Sequence, residues 1–509
     1  MLFCSYQTFL EIQRKDDRMK NEKTLNHENE LKKANDYIKE NGASVQGKKS
    51  RLKMHFMTPL GWMNDPNGLV FHQGEYHLFF QFYPYDVEWG PMHWGHSKSS
   101  DGIKWEYLPV ALAPSEEYDY SSVEQGHGCF SGSAISVEDQ LVLMYTGNVD
   151  GRTPRQTQNI AFSKDGRSFS KSSNNPAIPT FPNEATEDFR DPKIWKKDEM
   201  YYAIIGTKKD GKGKAAIYSS LDLKDWKYRG IATESNGQQG DMWECPDLFT
   251  LDEQDILIIS PMFGTKNSSP YYLLGNFNYD TCKFEQKDFF TLDYGKDFYA
   301  PQTFTDGKNR RIMIAWMNIW FAEMPEKNDG WAGAMTIARE LTIKKNKLYQ
   351  YPIVELNDYR VDSELVKDLQ IDSKSSFNTS LTSASDVLLT IDMEKSKAEA
   401  FDIFVKCSKD MKEKTRIHFD LKQMTVLVDR ELSGVGNKDN SVAPLSVNDG
   451  KLLVRLILDT NALELFINEG EYVVTNRVYP TNSDELFVIK SEDLLVIEQL
   501  ENYSLKMEG

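Results

Sequence analysis

Three acidic residues of this chain sit in settings that fix a carboxylate in place rather than leave it loose in solvent. Asp65 lies in the stretch Trp62-Met63-Asn64-Asp65-Pro66-Asn67-Gly68, where Pro stiffens the backbone beside the acid and Gly ends the turn. Asp191 follows Arg190 in Phe189-Arg190-Asp191-Pro192-Lys193, and Glu244 lies between Trp243 and Cys245-Pro246. Two carboxylates facing one sugar pocket are the minimum for cleaving a glycosidic bond. One must be ionised to attack or to activate water, and the other protonated to release the leaving group. The turn around Asp65 can donate several hydrogen bonds, which would keep that acid charged. Apolar neighbours and nearby like charge favour a proton on Glu244 near neutrality. Asp191, beside Arg190, is expected to stay ionised, to bind ring hydroxyls and to steady an oxocarbenium-like transition state. Taken singly, an Asp next to Pro is a common turn former, and Asp101, Asp165 and Asp222 read as turn residues of that ordinary kind.

A repeat supplies the reason for bringing acids so distant in sequence together. From residue 55 to about 350 the chain consists of short β runs with turn signals between them, clearest at 75–82, 141–145, 200–205, 255–260 and 312–316. No useful helical period interrupts them, so strands must pack on strands in a sandwich, barrel or propeller. A turn-plus-aromatic element at 99–105 recurs at 163–169 and 220–226, in steps of 64 and 57 residues. That length holds about four strands, which is one propeller blade. The polar elements Asp65, Ser131, Asp191, Asp247 and Pro301 keep the same beat, in steps of 66, 60, 56 and 54 residues. Five such elements predict five blades, and the first strand of each would line a common axis where the acids meet.

Beyond residue 360 the segments 401–406, 416–421, 424–429, 452–458, 463–468 and 485–489 alternate apolar and polar residues. They predict an antiparallel β-sandwich with one wet face per sheet, entered through a Ser/Thr-rich loop at 372–385. The expected domains are an N-terminal tail with an amphipathic helix (1–50), the propeller (51–355) and the sandwich (360–509). The helix is expected at about 28–41, from Leu31, Ala34, Tyr37 and Ile38 at helical spacing with Gly42 as its C-cap. Residues 1–10 followed by the charged 11–20 do not read as a secretory signal, no apolar stretch has membrane-spanning length, and a cytoplasmic protein is expected; Met19 is an alternative start.

Composition narrows the partners. Aromatics at 12 % with 10 Trp suit an all-β protein with a stacking-lined pocket. A net charge of −17 argues against nucleic acid and an anionic membrane surface. The five cysteines are odd in number and scattered without a close pair, which speaks against a disulfide framework or zinc site. His93 and His96 lack a partner at ligand spacing and read as polar packing beside Trp94. Neither a metal nor a cofactor is expected.

The three acid-bearing stretches resemble the signature blocks of glycoside hydrolase family 32, the β-fructofuranosidases. Residues 130–134, 297–304, 314–317, 338–343 with 350–352, and 463–480 are similar to further family motifs, so the resemblance spans roughly 50–500. It implies an all-β fold, a five-bladed β-propeller followed by a C-terminal antiparallel β-sandwich. It also implies a retaining hydrolase that uses Asp65 as nucleophile, Glu244 as acid/base and Asp191 as transition-state stabiliser, through a covalent fructosyl-enzyme. Trp62, Met63, Asn64, Gln81, Trp89, Phe130, Ser131, Arg190 and Trp316 fall on positions of the fructose pocket. Within the family the chain is most similar to the intracellular bacterial branch, which implies release of fructose from sucrose 6-phosphate and sucrose. Since the overall charge disfavours an anion, the phosphate needs local cations, and Arg152 and Arg155, or Lys208, Lys209, Lys212 and Lys214, are the candidates. Short fructans are the alternative substrates, fructosyl transfer would use the same acids, and a catalytically dead sugar-binding propeller is the alternative from another class. The oligomeric state is left open.

Overall fold

The computed structural model describes residues 27–123, 126–482 and 484–507; the expected tail, Cys4 and Met19 lie outside them. Each repeat of the first part folds into one antiparallel sheet. Blade 1 begins with Gly61–His72, blade 2 with His127–Val137, blade 3 with Phe189–Lys197, blade 4 with Met242–Leu251 and blade 5 with Tyr299–Thr305. Blades 2, 3 and 5 have four strands, and blade 4 adds the short strand Lys266–Asn267. The second strands are nearly continuous apolar runs, as at Leu141–Tyr145 and Ile256–Ile259, because each blade is covered on both faces by its neighbours. Separate clusters of buried side chains fill the gaps between blades 1 and 2, 2 and 3, 3 and 4, and 4 and 5. The ring closes where Trp331–Ala332, in the connection between the second and third strands of blade 5, pairs in parallel with Gly61 and Trp62 of blade 1.

The inner strands share one irregularity. Their pairing skips between Met63 and Pro66, Phe130 and Gly132, Glu244 and Asp247, and Tyr299 and Gln302; in blade 3 the skip lies opposite Asp191 and Pro192. A β-bulge bends the strand and re-aims a side chain, and proline is tolerated there because it owes no ladder hydrogen bond. The recurring Asp-Pro, Cys-Pro and Ala-Pro dipeptides therefore mark four of the five bulges, and Ser131-Gly132 takes the equivalent place in blade 2. The outer turns repeat as well: Asp101, Asp165 and Asp222 each accept two backbone N–H bonds of 2.8–3.0 Å from the residues two and three positions on.

Three expectations are corrected. The N-terminal helix spans 27–46 and passes through Gly42 instead of ending there. Burial of Val45 against Leu52, Leu60 and Trp331 outweighs the cost of about 1 kcal/mol for a helical glycine. The stretch 372–385 contains an edge strand, Ser376–Ser380, rather than a plain loop. The sandwich has two six-stranded sheets over one core, but the outer face of one sheet is wet only toward its edge strand Arg360–Ile371. Ile457, Phe466, Val473 and Leu505 of that sheet pack into the propeller beside Phe80, Ile312 and Ile337.

That interface carries a buried ionic knot. Arg339 of blade 5 pairs with Glu464 of the sandwich and with Asp293 at 3.0 Å. His55 lies between Asp459 and Glu464, 2.9 Å from each, and all three side chains are fully buried. The two carboxylates outweigh burial and raise the His55 pKa to about 9. A raised pKa stabilises the fold fully below the unfolded value of about 6.5, and this contribution disappears as pH rises through 9. We expect the thermal midpoint to fall between pH 7 and 9.5, and His55→Gln to lower it at pH 7 while flattening that slope. The whole effect is at most about 3 kcal/mol, and an equally steep alkaline slope in the variant would exclude His55 as its source.

Candidate active site

The bulges of blades 1 to 4 deliver their side chains to one cavity of about 310 Å³. Asp65 Oδ2 accepts a 2.7 Å bond from the Ser131 hydroxyl, and Oδ1 accepts one of 3.1 Å from the Asn64 amide. Asn64 is itself held by Trp62 Nε1 at 2.8 Å. Asp191 sits at φ 64°, a conformation that costs a non-glycine residue, and its Oδ2 accepts the backbone N–H of Cys245 at 3.1 Å. Cys245 is also at positive φ, and its thiol lies 3.6 Å from Asp65 Oδ2 and 3.7 Å from Asp191 Oδ2. One buried thiol thus spans two of the acids.

Glu244 is held differently from the apolar shell expected for it. Trp243 points away and donates to the Gln239 carbonyl. Arg190 Nε and Nη2 donate to Glu244 Oε1 at 3.0 and 2.9 Å. The Tyr299 hydroxyl, at 2.5 Å, and the Asn267 amide, at 3.0 Å, donate to Oε2. Arg190 reaches Asp188 as well, at 3.1 Å. The expectation that Asp191 is the partner of Arg190 is therefore corrected: the guanidinium is spent on Glu244 and Asp188. Burial dominates at both aspartates. It pushes the Asp65 pKa up to about 6 against the hydrogen bonds from Ser131 and Asn64. It pushes Asp191 up to about 7, with Arg190 opposing and the charges of Glu244 and Asp65 adding to the rise.

Of the residues expected at the site, Asn64, Asp65, Gln81, Trp89, Phe130, Ser131, Arg190, Asp191 and Glu244 line this cavity. Trp89 and Phe130 form an edge-to-face pair at 5.9 Å, and Gln81 is oriented by the Cys129 carbonyl at 2.9 Å. Met63, Trp62 and Trp316 do not line it. Met63 faces the core between propeller and sandwich, because neighbouring strand residues point to opposite sides. Trp62 and Trp316 form a wall behind Trp320, which stacks on Trp62 at 5.9 Å and does reach the cavity. Sequence reading passed over Asn148, Asp150, Gln156, Asp188 and Trp320 in the lining, and Asn267 and Tyr299 as partners of Glu244. Asp188, two residues before Arg190, and Trp320, four after Trp316, stood close enough to expected residues to be found. Asn267 carried no signal.

Sugar-sized volume, flanking aromatic rings and three carboxylates around one guanidinium define the pocket of a glycoside hydrolase built on a propeller. Residues 55–352 match the glycosyl hydrolases family 32 N-terminal domain and 355–503 the family 32 C-terminal domain. The chain belongs to glycoside hydrolase family 32. It is 35 % identical over 480 residues to sucrose-6-phosphate hydrolase of Zymomonas mobilis, covering 88 % of this chain and 91 % of that protein. It superposes with TM-score 0.82 on the sucrose-6-phosphate hydrolase of Lactobacillus gasseri at 26 % identity, covering 92 % and 96 % of the two chains. Against a variant of the Bombyx mori β-fructofuranosidase in complex with sucrose the TM-score is 0.79 at 34 % identity, covering 93 % and 98 %. Among the described residues no helix is long and apolar enough to cross a membrane.

The arrangement predicts an infrared titration. In the substrate-free protein, carboxyl bands should titrate near pH 6 and 7, and Asp191→Asn should remove the higher one. A spectrum in which every carboxyl titrates below pH 5 would contradict the burial that raises them.

Proposed function

We propose that this enzyme releases fructose from sucrose 6-phosphate and from sucrose with retention of configuration. The observation that carries the reading is the convergence of Asp65, Asp191 and Glu244 on one sugar-sized cavity. Asp65 is aimed by Ser131 and Asn64 with no cation touching it, whereas Glu244 is gripped by Arg190, Tyr299 and Asn267. In this mechanism the ionised Asp65 attacks the anomeric carbon of the fructosyl unit while Glu244 gives its proton to the bridging oxygen. The C–O bond breaks, the glucosyl part leaves as an alcohol, and an ester joins fructose to Asp65. Glu244, now a carboxylate, takes a proton from water, which attacks the same carbon and frees Asp65. Asp191, poised by the Cys245 N–H, binds ring hydroxyls and shares the positive charge that develops on the sugar. The similarity to sucrose-6-phosphate hydrolases supports the substrate. A phosphorylated disaccharide does not cross a bilayer unaided, so a cytoplasmic location goes with it.

Asp65→Ala should abolish glucose release from sucrose. Glu244→Gln should lower kcat by about 10² to 10⁴ yet retain turnover of a fructoside whose leaving group needs no proton; equal loss on both substrates would remove Glu244 from the acid role. Because Asp65 must be ionised, activity should fall as pH drops through about 6. Ser131→Ala, which removes a hydrogen bond to the ionised form, should move that acid limb upward in pH. An unmoved or downward-shifted limb would separate Asp65 from it.

A further inference from the structure

Of the cations expected to take a phosphate, Arg152 does not line the main cavity and the others are already engaged. Arg155 and Lys208 both pair with Asp188, the latter at 2.8 Å, so both are balanced by an acid that Arg190 also uses. Lys212 and Lys214 share Glu234 at 2.5 and 2.8 Å, and Lys209 donates to the Asn183 carbonyl. The main cavity also holds Asp65, Asp150, Asp188, Asp191 and Glu244 against Arg155 and Arg190. A dianion entering at that end would meet an excess of negative charge.

A second cavity of about 390 Å³ opens on the other side of Trp320, which lines both. Its floor is the short strand that carries Asn267, with Lys266, Ser268 and Ser269, and Lys296 joins them from the segment that leads into blade 5. Lys266 and Lys296 are exposed and have no ion-pair partner among the described residues; the only carboxylate in the lining is Asp439 of the sandwich. The strand is tied directly to the chemistry, since the Asn267 amide donates to both Glu244 and Tyr299. The leaving group must lie against the acid that protonates its oxygen. Whatever projects from the glucosyl ring beyond Glu244 on this side therefore meets Lys266 and its neighbours.

We propose that the second cavity is the phosphate subsite: Lys266 and Lys296 neutralise the 6-phosphate of the leaving glucosyl unit, and the hydroxyls of Ser268 and Ser269 complete the donor set. This deepens the proposed function and rests on it. Two lysines act here as point charges, which suits a phosphate at the end of a flexible methylene better than a fixed fork would. Asn267 then has a second role, fixing the strand that reads the phosphate to the carboxyl that cleaves the bond.

The test compares kcat/KM for sucrose 6-phosphate and sucrose in the wild type and in the double variant Lys266→Gln/Lys296→Gln. The ratio of the two should fall at least about tenfold in the variant, as expected for losing charge-assisted bonds to one substrate only. Arg substitutions at the same positions should keep most of the preference. As an independent measurement, glucose 6-phosphate should inhibit sucrose hydrolysis at least about tenfold more tightly than glucose in the wild type, an advantage that shrinks with added salt and disappears in the double variant. An unchanged ratio in the double variant, or a ratio that collapses only in Arg155→Gln, would overturn the subsite while leaving the hydrolase reading intact. A wild type that cleaves neither substrate would overturn the proposed function itself.

Discussion

Charge balance around Arg190 is the constraint on which the site depends. Five carboxylates approach one small cavity, and one of them, Glu244, accepts two N–H bonds from this guanidinium on a single oxygen. Because Arg190 is committed to Glu244 and Asp188, Asp65 and Asp191 are left buried with only neutral donors hydrogen-bonded to them. Burial then raises both pKa values, and the thiol of Cys245 separates the two oxygens without adding charge. A cation placed directly on Asp65 would hold it ionised but would also blunt it as a nucleophile. The structure keeps the cation one residue away.

Holding these groups at fixed angles falls to the backbone. The bulge at the same point of each inner strand turns a repeated blade into a set of differently aimed side chains, and positive φ at Asp191, Cys245 and Ala300 shows where the bend is sharpest. Such conformations persist only when their surroundings over-determine them. Here the support is the ring itself, closed by the pairing of Trp331–Ala332 with blade 1, and the sandwich, whose inner sheet is buried against the propeller and locked by Arg339, Glu464 and His55. The sandwich also supplies Asn437 and Asp439 to the second cavity, so it helps to shape the space beyond the leaving group.

What could be read in advance followed from local rules. Alternation, apolar runs, and the spacing of Asp65, Ser131, Asp191, Asp247 and Pro301 are properties of the chain, and they were enough for propeller and sandwich. Sheet faces were harder: a sequence shows that a strand has two faces but not that a second domain will cover one, hence the misread wet face around Ile457 and Phe466. Met63 and Trp316 failed for the same reason, since proximity in a motif does not tell which side of the strand a residue occupies.

The sequence by itself determined which residues could do the chemistry and that a repeat would gather them, because acid, proline and period are all written locally. Only the tertiary structure decided how charge is shared among them. Arg190 chooses Glu244 over its neighbour Asp191 across 54 residues, and Asn267 and Tyr299 join Glu244 from 23 and 55 residues away. Lys266 and Lys296 have no ion-pair partner among the described residues, whereas Arg155, Lys208, Lys212 and Lys214 have each found a carboxylate. Electrostatic partners are set by distance in space, and distance in space is what folding adds to a sequence.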